Sequence, residues 1–265
     1  MPLLGVVYAP NSPTLIGDLG VKHFSTEEAL GKLGSQFADL VETVIVVSPH
    51  FVTSGAFGVV AEPNPKQIYD FSGFPPEFYQ IKYEPPGDEE LGKLLINKLL
   101  ESGIPAGSPE GWGLDHGAWS PLKLMFPMGD KKVLPVSIAP NLGSDAHFRL
   151  GQIISGVSHE KNILLLVTGS IIHRLDLWVK GSQRVPDKAV RYLNEVTGYM
   201  VAGLWDQIWH VPRDLYRAAA PEGGEFPLRI LAGTIGNQYK GRILSNELEF
   251  GAVSLTTVLF AAEGK

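Results

Sequence analysis

Four short runs dominated by valine, isoleucine and leucine recur along this chain: Leu3 to Tyr8, Val44 to Val47, Val133 to Ala139 and Ile163 to Val167. Helix-patterned stretches lie between them. A run without polar alternation suits a strand buried on both faces, as in a sheet covered by helices above and below. The intervening stretches fit that scheme. Ser25-Thr26-Glu27-Glu28 reads as a capping box that opens a helix with Leu30, Leu33, Phe37 and Leu40 on one face. Asp88 caps a second helix bearing Leu91, Leu94, Leu95 and Leu99. Further helices are expected from near Trp119, from Ser144-Asp145, from Asp187, and over Phe226 to Ala232. A strand from Ala56 to Ala61 and two closing strands, near Arg242 to Leu248 and Val253 to Phe260, complete the pattern. The expected fold is α/β, a mixed central β-sheet flanked by helices on both faces. Residues 1–265 read as a single domain without repeats or linkers.

Composition narrows the chemistry. With 44% hydrophobic and 19% charged residues, the chain has ample material for a core. A net charge of −6, with 22 scattered Lys and Arg, argues against a nucleic-acid partner, because phosphate binding needs a basic face. The chain has no cysteine, so disulfides, thiolate metal sites and a cysteine nucleophile are excluded. Any metal site must use His, carboxylate, amide or backbone oxygen, which suits Fe(II), Mn(II) or Zn(II). The N-terminal stretch lacks the basic and apolar regions of a signal peptide. No apolar run approaches the ~20 residues of a spanning helix. The expectation is a cytoplasmic protein with no membrane partner.

Three of the seven histidines stand just past a strand or in a glycine-spaced loop. His50 follows Val44 to Val47. His116 lies in Gly113-Leu114-Asp115-His116-Gly117. His173 follows Ile163 to Val167 through Thr168-Gly169-Ser170. In open α/β sheets, ligands sit beyond the carboxyl ends of the strands, where an imidazole can bind metal or move protons. His23, His147, His159 and His210 read as structural or surface residues. Between Glu62 and Gly87 runs a long segment rich in proline and aromatics, which reads either as a functional loop or as a hydrophobic flap over the core or a subunit contact.

Four motifs occur in order: Ser48-Pro49-His50, Tyr69-Asp70-Phe71-Ser72-Gly73-Phe74-Pro75, Gly113 through Trp119, and Thr168-Gly169-Ser170 through His173. Together they resemble the class III extradiol ring-cleavage dioxygenases, nearest the DOPA-dioxygenase-like branch, over nearly the whole chain. The resemblance implies non-haem Fe(II), or Zn(II) in some members. The metal would be held by two histidines and a carboxylate or a further histidine, with positions left open for a catechol and O2. It assigns His50 to the metal, His173 to acid/base work and His116 to orienting substrate oxygens. The remaining ligand falls in the segment before the last helix, at Glu222 or Glu225, with Glu225 the narrower preference. One position departs from the pattern. Where the family has its first metal histidine, this chain has Asn11, in Pro10-Asn11-Ser12-Pro13. Either Asn11 ligates weakly, or a neighbour such as His23 substitutes, or the site holds no metal.

Three functions follow from the resemblance. The first is an Fe(II)-dependent extradiol dioxygenase acting on a small aromatic diol or aminophenol with O2. The second is a non-catalytic family member paired with a homologous subunit, motivated by Asn11. The third is a Zn(II)-dependent hydrolase on the same scaffold. The resemblance also implies an oligomer.

Overall fold

In the computed structural model, residues 3–157, 161–236 and 239–261 are described. His159 lies outside them. The core is a six-stranded sheet in the order β5-β2-β6-β1-β8-β7. Its strands are β1 (Gly5–Ala9), β2 (Thr43–Val52), β5 (Lys132–Ile138), β6 (Ile163–Thr168), β7 (Gly241–Glu249) and β8 (Val253–Phe260). Strands β5, β2, β6 and β1 run parallel, and β8 and β7 follow antiparallel, so the sheet is mixed. A two-stranded ribbon, β3 (Phe57–Gly58) with β4 (Ala106–Gly107), stands apart.

The apolar runs become strands because both of their faces are covered. Val6, Ile45, Val47, Leu165 and Val167 pack on one side. There they meet α2 (Glu89–Glu101), α4 (Gly143–Val157), α5 (Asp187–Ala202) and α8 (Phe226–Ile235). Val7, Val44, Val46, Leu164 and Leu166 pack on the other, against α1 (Phe24–Phe37) and α3 (His116–Met125). Each such side chain, fully withdrawn from water, contributes about 1.5–3 kcal/mol. Helices α1 and α3 meet backbone to backbone at Gly34, where an added Cβ would stand 1.7 Å from the Met125 carbonyl oxygen.

Several local expectations shift. Helix α1 starts at Phe24 with His23 in the cap position, not at the Ser25 box. Thr26 is drawn into the helix because its N–H and hydroxyl both donate to Glu247 of β7, at 2.9 and 2.5 Å. Glu27 still reaches back to accept the His23 N–H at 3.2 Å. Strand β2 does not stop at Val47. It continues through a register shift to Val52, which pairs with Ile138, so His50 lies inside the strand and not after it. Of the strand expected from Ala56 to Ala61, only Phe57–Gly58 forms one. The proline-rich segment 62–87 folds over this chain's own core. Phe78 is fully buried, and Tyr69 and Phe71 pack on Trp119 with ring centroids 5.8 and 6.1 Å away. Two short helices, α6 (Trp205–Ile208) and α7 (Arg213–Ala219), precede α8 and carry no clear periodicity in the sequence. Among the described residues, no helix is long and apolar enough to cross a membrane.

Candidate active site

Strands β1, β6 and β2 are neighbours, and their carboxyl ends open on one edge of the sheet. That geometry gathers Asn11 after β1, His173 after β6 and His50 near the end of β2. The turns are tied together: the Gly169 N–H donates to the Ala9 carbonyl at 3.1 Å. The His173 N–H donates to Ala219 at 2.9 Å, and the Glu222 N–H to Ser170 at 3.0 Å. Between α7 and α8 the chain reverses through Ala220, Gly223 and Gly224, all at positive φ. Glycine suits the last two because it adopts φ > 0 without steric cost. At Gly223 a Cβ would also stand 2.9 Å from Pro49 Cβ.

His116 is placed by its neighbour. Asp115 caps α3 by accepting the Ala118 N–H, and it also accepts the Ser48 hydroxyl at 2.6 Å. The cap makes His116 the first residue of α3. Gly117 then lets α3 approach β2, since a Cβ there would lie 2.3 Å from Ser48 Oγ and 2.9 Å from His50 Cδ2. The His50 and His116 rings are 4.1 Å apart.

Two carboxylates organise the imidazoles. Glu222 Oε1 lies 2.7 Å from His50 Nε2 and 3.7 Å from His173 Nε2, and it accepts the Asn11 amide N–H at 3.3 Å. Asp70 lies 2.9 Å from His116 Nδ1 and 3.4 Å from His50 Nδ1, and it also accepts the His116 backbone N–H at 2.8 Å. Burial opposes charging of His50, but Glu222, with Asp115 and Asp70 behind it, more than offsets that and raises its pKa to about 9. Burial likewise opposes ionisation of Glu222, yet His50, His173 and His116 bring its pKa down to about 2. Asp70 is also lowered, with burial outweighed by the two imidazoles. Asp115 is raised, by burial first and then by the charge of Asp70.

These groups line a cavity of about 640 Å3. Phe71 meets His116 edge-on at 5.4 Å and Phe74 at 5.3 Å. Trp178, Lys180 and Glu249 also line it, with Lys180 exposed. Glu249 is buried and accepts from Ser12 Oγ at 2.9 Å, from Trp178 Nε1 at 2.6 Å and from Thr14 Oγ1.

Residues 23–261 match the family described as the catalytic LigB subunit of aromatic ring-opening dioxygenase. The chain belongs to this family. It is 29% identical over 230 residues, 85% of each chain, to the 4,5-DOPA dioxygenase extradiol of Beta vulgaris. To the enzyme of that name from Escherichia coli K12 it is 34% identical over 134 residues, 51% of this chain and 48% of that one. The crystal structure of an uncharacterized protein from Escherichia coli K12 shares the fold, with a TM-score of 0.76 at 22% identity, covering 97% of this chain and 99% of the other.

In this LigB-family chain the structure brings His50, His116, His173, Asn11 and Glu222 to one cavity. It does not bring Glu225 there. The Gly223-Gly224 reversal sends Glu225 to the N-terminus of α8, where it pairs with Arg229 at 2.8 Å and accepts the Ser144 hydroxyl at 2.6 Å. His23 does not reach His50 either. It is buried behind the Ser12–Thr14 turn, 3.3 Å from Glu249. His147 is structural, its two nitrogens engaged by the Gly143 carbonyl and the Ala139 N–H. Sequence reasoning missed Asp70 and Glu249. Asp70 lies in the Tyr69-to-Pro75 motif, and an acid flanked by two aromatics was its only signal. Glu249 ends an edge strand and gives none.

LigB-family enzymes are metal-dependent, and the donor set here fits a divalent ion. Imidazole and carboxylate are the donors that iron, manganese and zinc share. Glu222 Oε2 is buried without a hydrogen-bond partner, and His50 Nε2 makes no aligned hydrogen bond despite its 2.7 Å approach to Oε1. Ligand atoms of His50, Asp70 and His116 also lie within 4.8 Å of one another. His50 belongs to both groupings.

Proposed function

We propose that this protein is an extradiol dioxygenase that opens a catechol or aminophenol ring beside its hydroxyl groups, using O2 and Fe(II). The observation that carries the reading is the pairing of His50 Nε2 with Glu222 Oε1 at 2.7 Å in an aromatic-walled cavity, with Glu222 Oε2 left unpartnered. His50 and Glu222 would hold the iron, with the Asn11 amide as the third, neutral donor. Fe(II) held there would supply the electron transfer that lets O2 react with a closed-shell ring.

The chain's own residues do the rest. His173, beside the Glu222 carboxylate, takes the proton of a substrate hydroxyl, a task suited to an imidazole. Asp70 accepts the His116 backbone N–H and stands 2.9 Å from His116 Nδ1, which leaves Nε2 as the nitrogen available to orient a substrate oxygen. Phe71, Phe74 and Trp178 flank the ring and keep water out. Lys180 at the rim provides a cation for an acidic substituent. The relatives named for 4,5-DOPA make an amino-acid-bearing catechol the natural first probe.

Asn11 favours a second reading, a family member without catalysis that serves as the partner subunit of an active homologue. The two separate cleanly. Protein purified anaerobically and loaded with Fe(II) should hold about one equivalent and consume O2 with a catechol. Failure to retain any metal, with no O2 uptake, sinks the first reading. Under it, Asn11→Ala abolishes an activity already present. Under the second, only Asn11→His creates one.

A further inference from the structure

A second cavity, of about 470 Å3, opens between α5, α7 and α8. Its lining shares no residue with the His50 cavity. Three arginines meet there. Arg213 and Arg217 lie one helical turn apart on α7, which puts them on the same side of that helix. Arg229 comes from α8, with its guanidinium stacked 3.6 Å over the Trp209 ring. One carboxylate, Glu225, also lines the cavity, and it is already engaged, as is Asp214 beside Arg213. Glu225 is bound to Arg229 at 2.8 Å and to the Ser144 hydroxyl, and Asp214 pairs with Lys188 at 2.9 Å. Arg213 and Arg217 have no carboxylate partner among the described residues. Ile208, Val211 and Leu228 give an apolar floor, and Tyr192 and Tyr216 bring phenol groups that burial keeps protonated as donors.

A chain of net charge −6 thus gathers three guanidinium groups around one cavity, where a planar fork can grip an oxyanion through two N–H groups at once. We propose that this cavity binds a small organic anion, a carboxylate or phosphate head held by Arg213 and Arg217 with an apolar body against Leu228 and Val211. The segment from Arg213 to Arg229 lines this cavity and contributes Glu222 to the His50 cavity. The site is therefore accessory to the active site and independent of the proposed chemistry.

Calorimetric titration at low ionic strength, with inorganic phosphate and with benzoate, tests the proposal. At least one anion should bind saturably with a stoichiometry of one at this site. A benzoate-only response assigns a carboxylate ligand, and a phosphate-only response a phosphate ester. The Arg213→Gln/Arg217→Gln protein should bind roughly 100-fold more weakly or worse, since two charge-assisted hydrogen bonds are lost at once. Both side chains are solvent-exposed, so circular dichroism of that protein should match the parent. His50→Ala should leave this binding intact. Absence of saturable binding by either anion overturns the proposal. So does unchanged affinity in the double variant, or loss of all binding in His50→Ala. Tryptophan fluorescence gives an independent reading. A change on anion addition should disappear in Trp209→Phe, and its persistence there places the anion elsewhere.

Discussion

Asp70 is the residue on which both imidazoles depend, since one carboxylate reaches His116 Nδ1 and His50 Nδ1. Asp70→Asn keeps the shape and removes the charge. Changes to groups that orient a metal-binding histidine typically lower metal affinity or turnover by about 10–100-fold. That loss is expected here, and metal titration checks it. Glu249 is a structural counterpart. Burial works against its ionisation, but His23, Thr14, Trp178 and Ser12 overcome that and lower its pKa from 4.5. Because the folded-state pKa is the lower one, its stabilisation is complete above about pH 4.5 and fades as pH falls toward the folded value. Glu249→Gln should therefore cost about 1–3 kcal/mol at pH 7, and the deficit should shrink below about pH 4.5. Urea denaturation of both proteins from pH 7 to pH 3 reads this directly.

Among the elements, the contact between α1 and α3 sets two effects against each other. Helix propensity alone predicts that Gly34→Ala gains about 1 kcal/mol. The Met125 carbonyl 1.7 Å from the new methyl predicts the opposite, because backbone cannot yield as a flexible side chain does. Overpacking of this kind costs about 1–3 kcal/mol, and sterics should win. A lower urea midpoint confirms that order, and a higher one refutes it. The same contrast explains what the sequence made legible. Runs such as Val44 to Val47 announce buried strands because a single periodicity decides them. The sheet and its covering helices could be read on that basis. The extension of β2 past His50 could not, since it depends on Val52 finding Ile138 after a register shift. The choice between Glu222 and Glu225 was equally hidden, because two successive left-handed glycines decide which carboxylate faces His50. Asp70 lies in a stretch without periodicity, so no pattern could point to its role.

For the molecule as a whole, a metal that binds only the folded state must stabilise it. At a free concentration 100 times Kd the gain is about 2.7 kcal/mol. Fe(II) should therefore raise the melting temperature by several degrees, and chelation should reverse the rise. Scanning calorimetry with and without metal tests this, and no shift would mean that the histidines and Glu222 hold nothing.

The strand order has a further consequence, for how the molecule comes into being. Strand β6 lies between β1 and β2, so neither earlier strand has its central neighbour until Ile163–Thr168 has been made. Gly5 must wait for Leu164, and Glu222 and Glu249 emerge later still. Pairings so distant in sequence are slow to close. A nascent chain halted before β6 therefore carries His50 and His116 but no pocket. Capture of a metal or an aromatic ring should come among the last events of folding, and released N-terminal fragments should show neither.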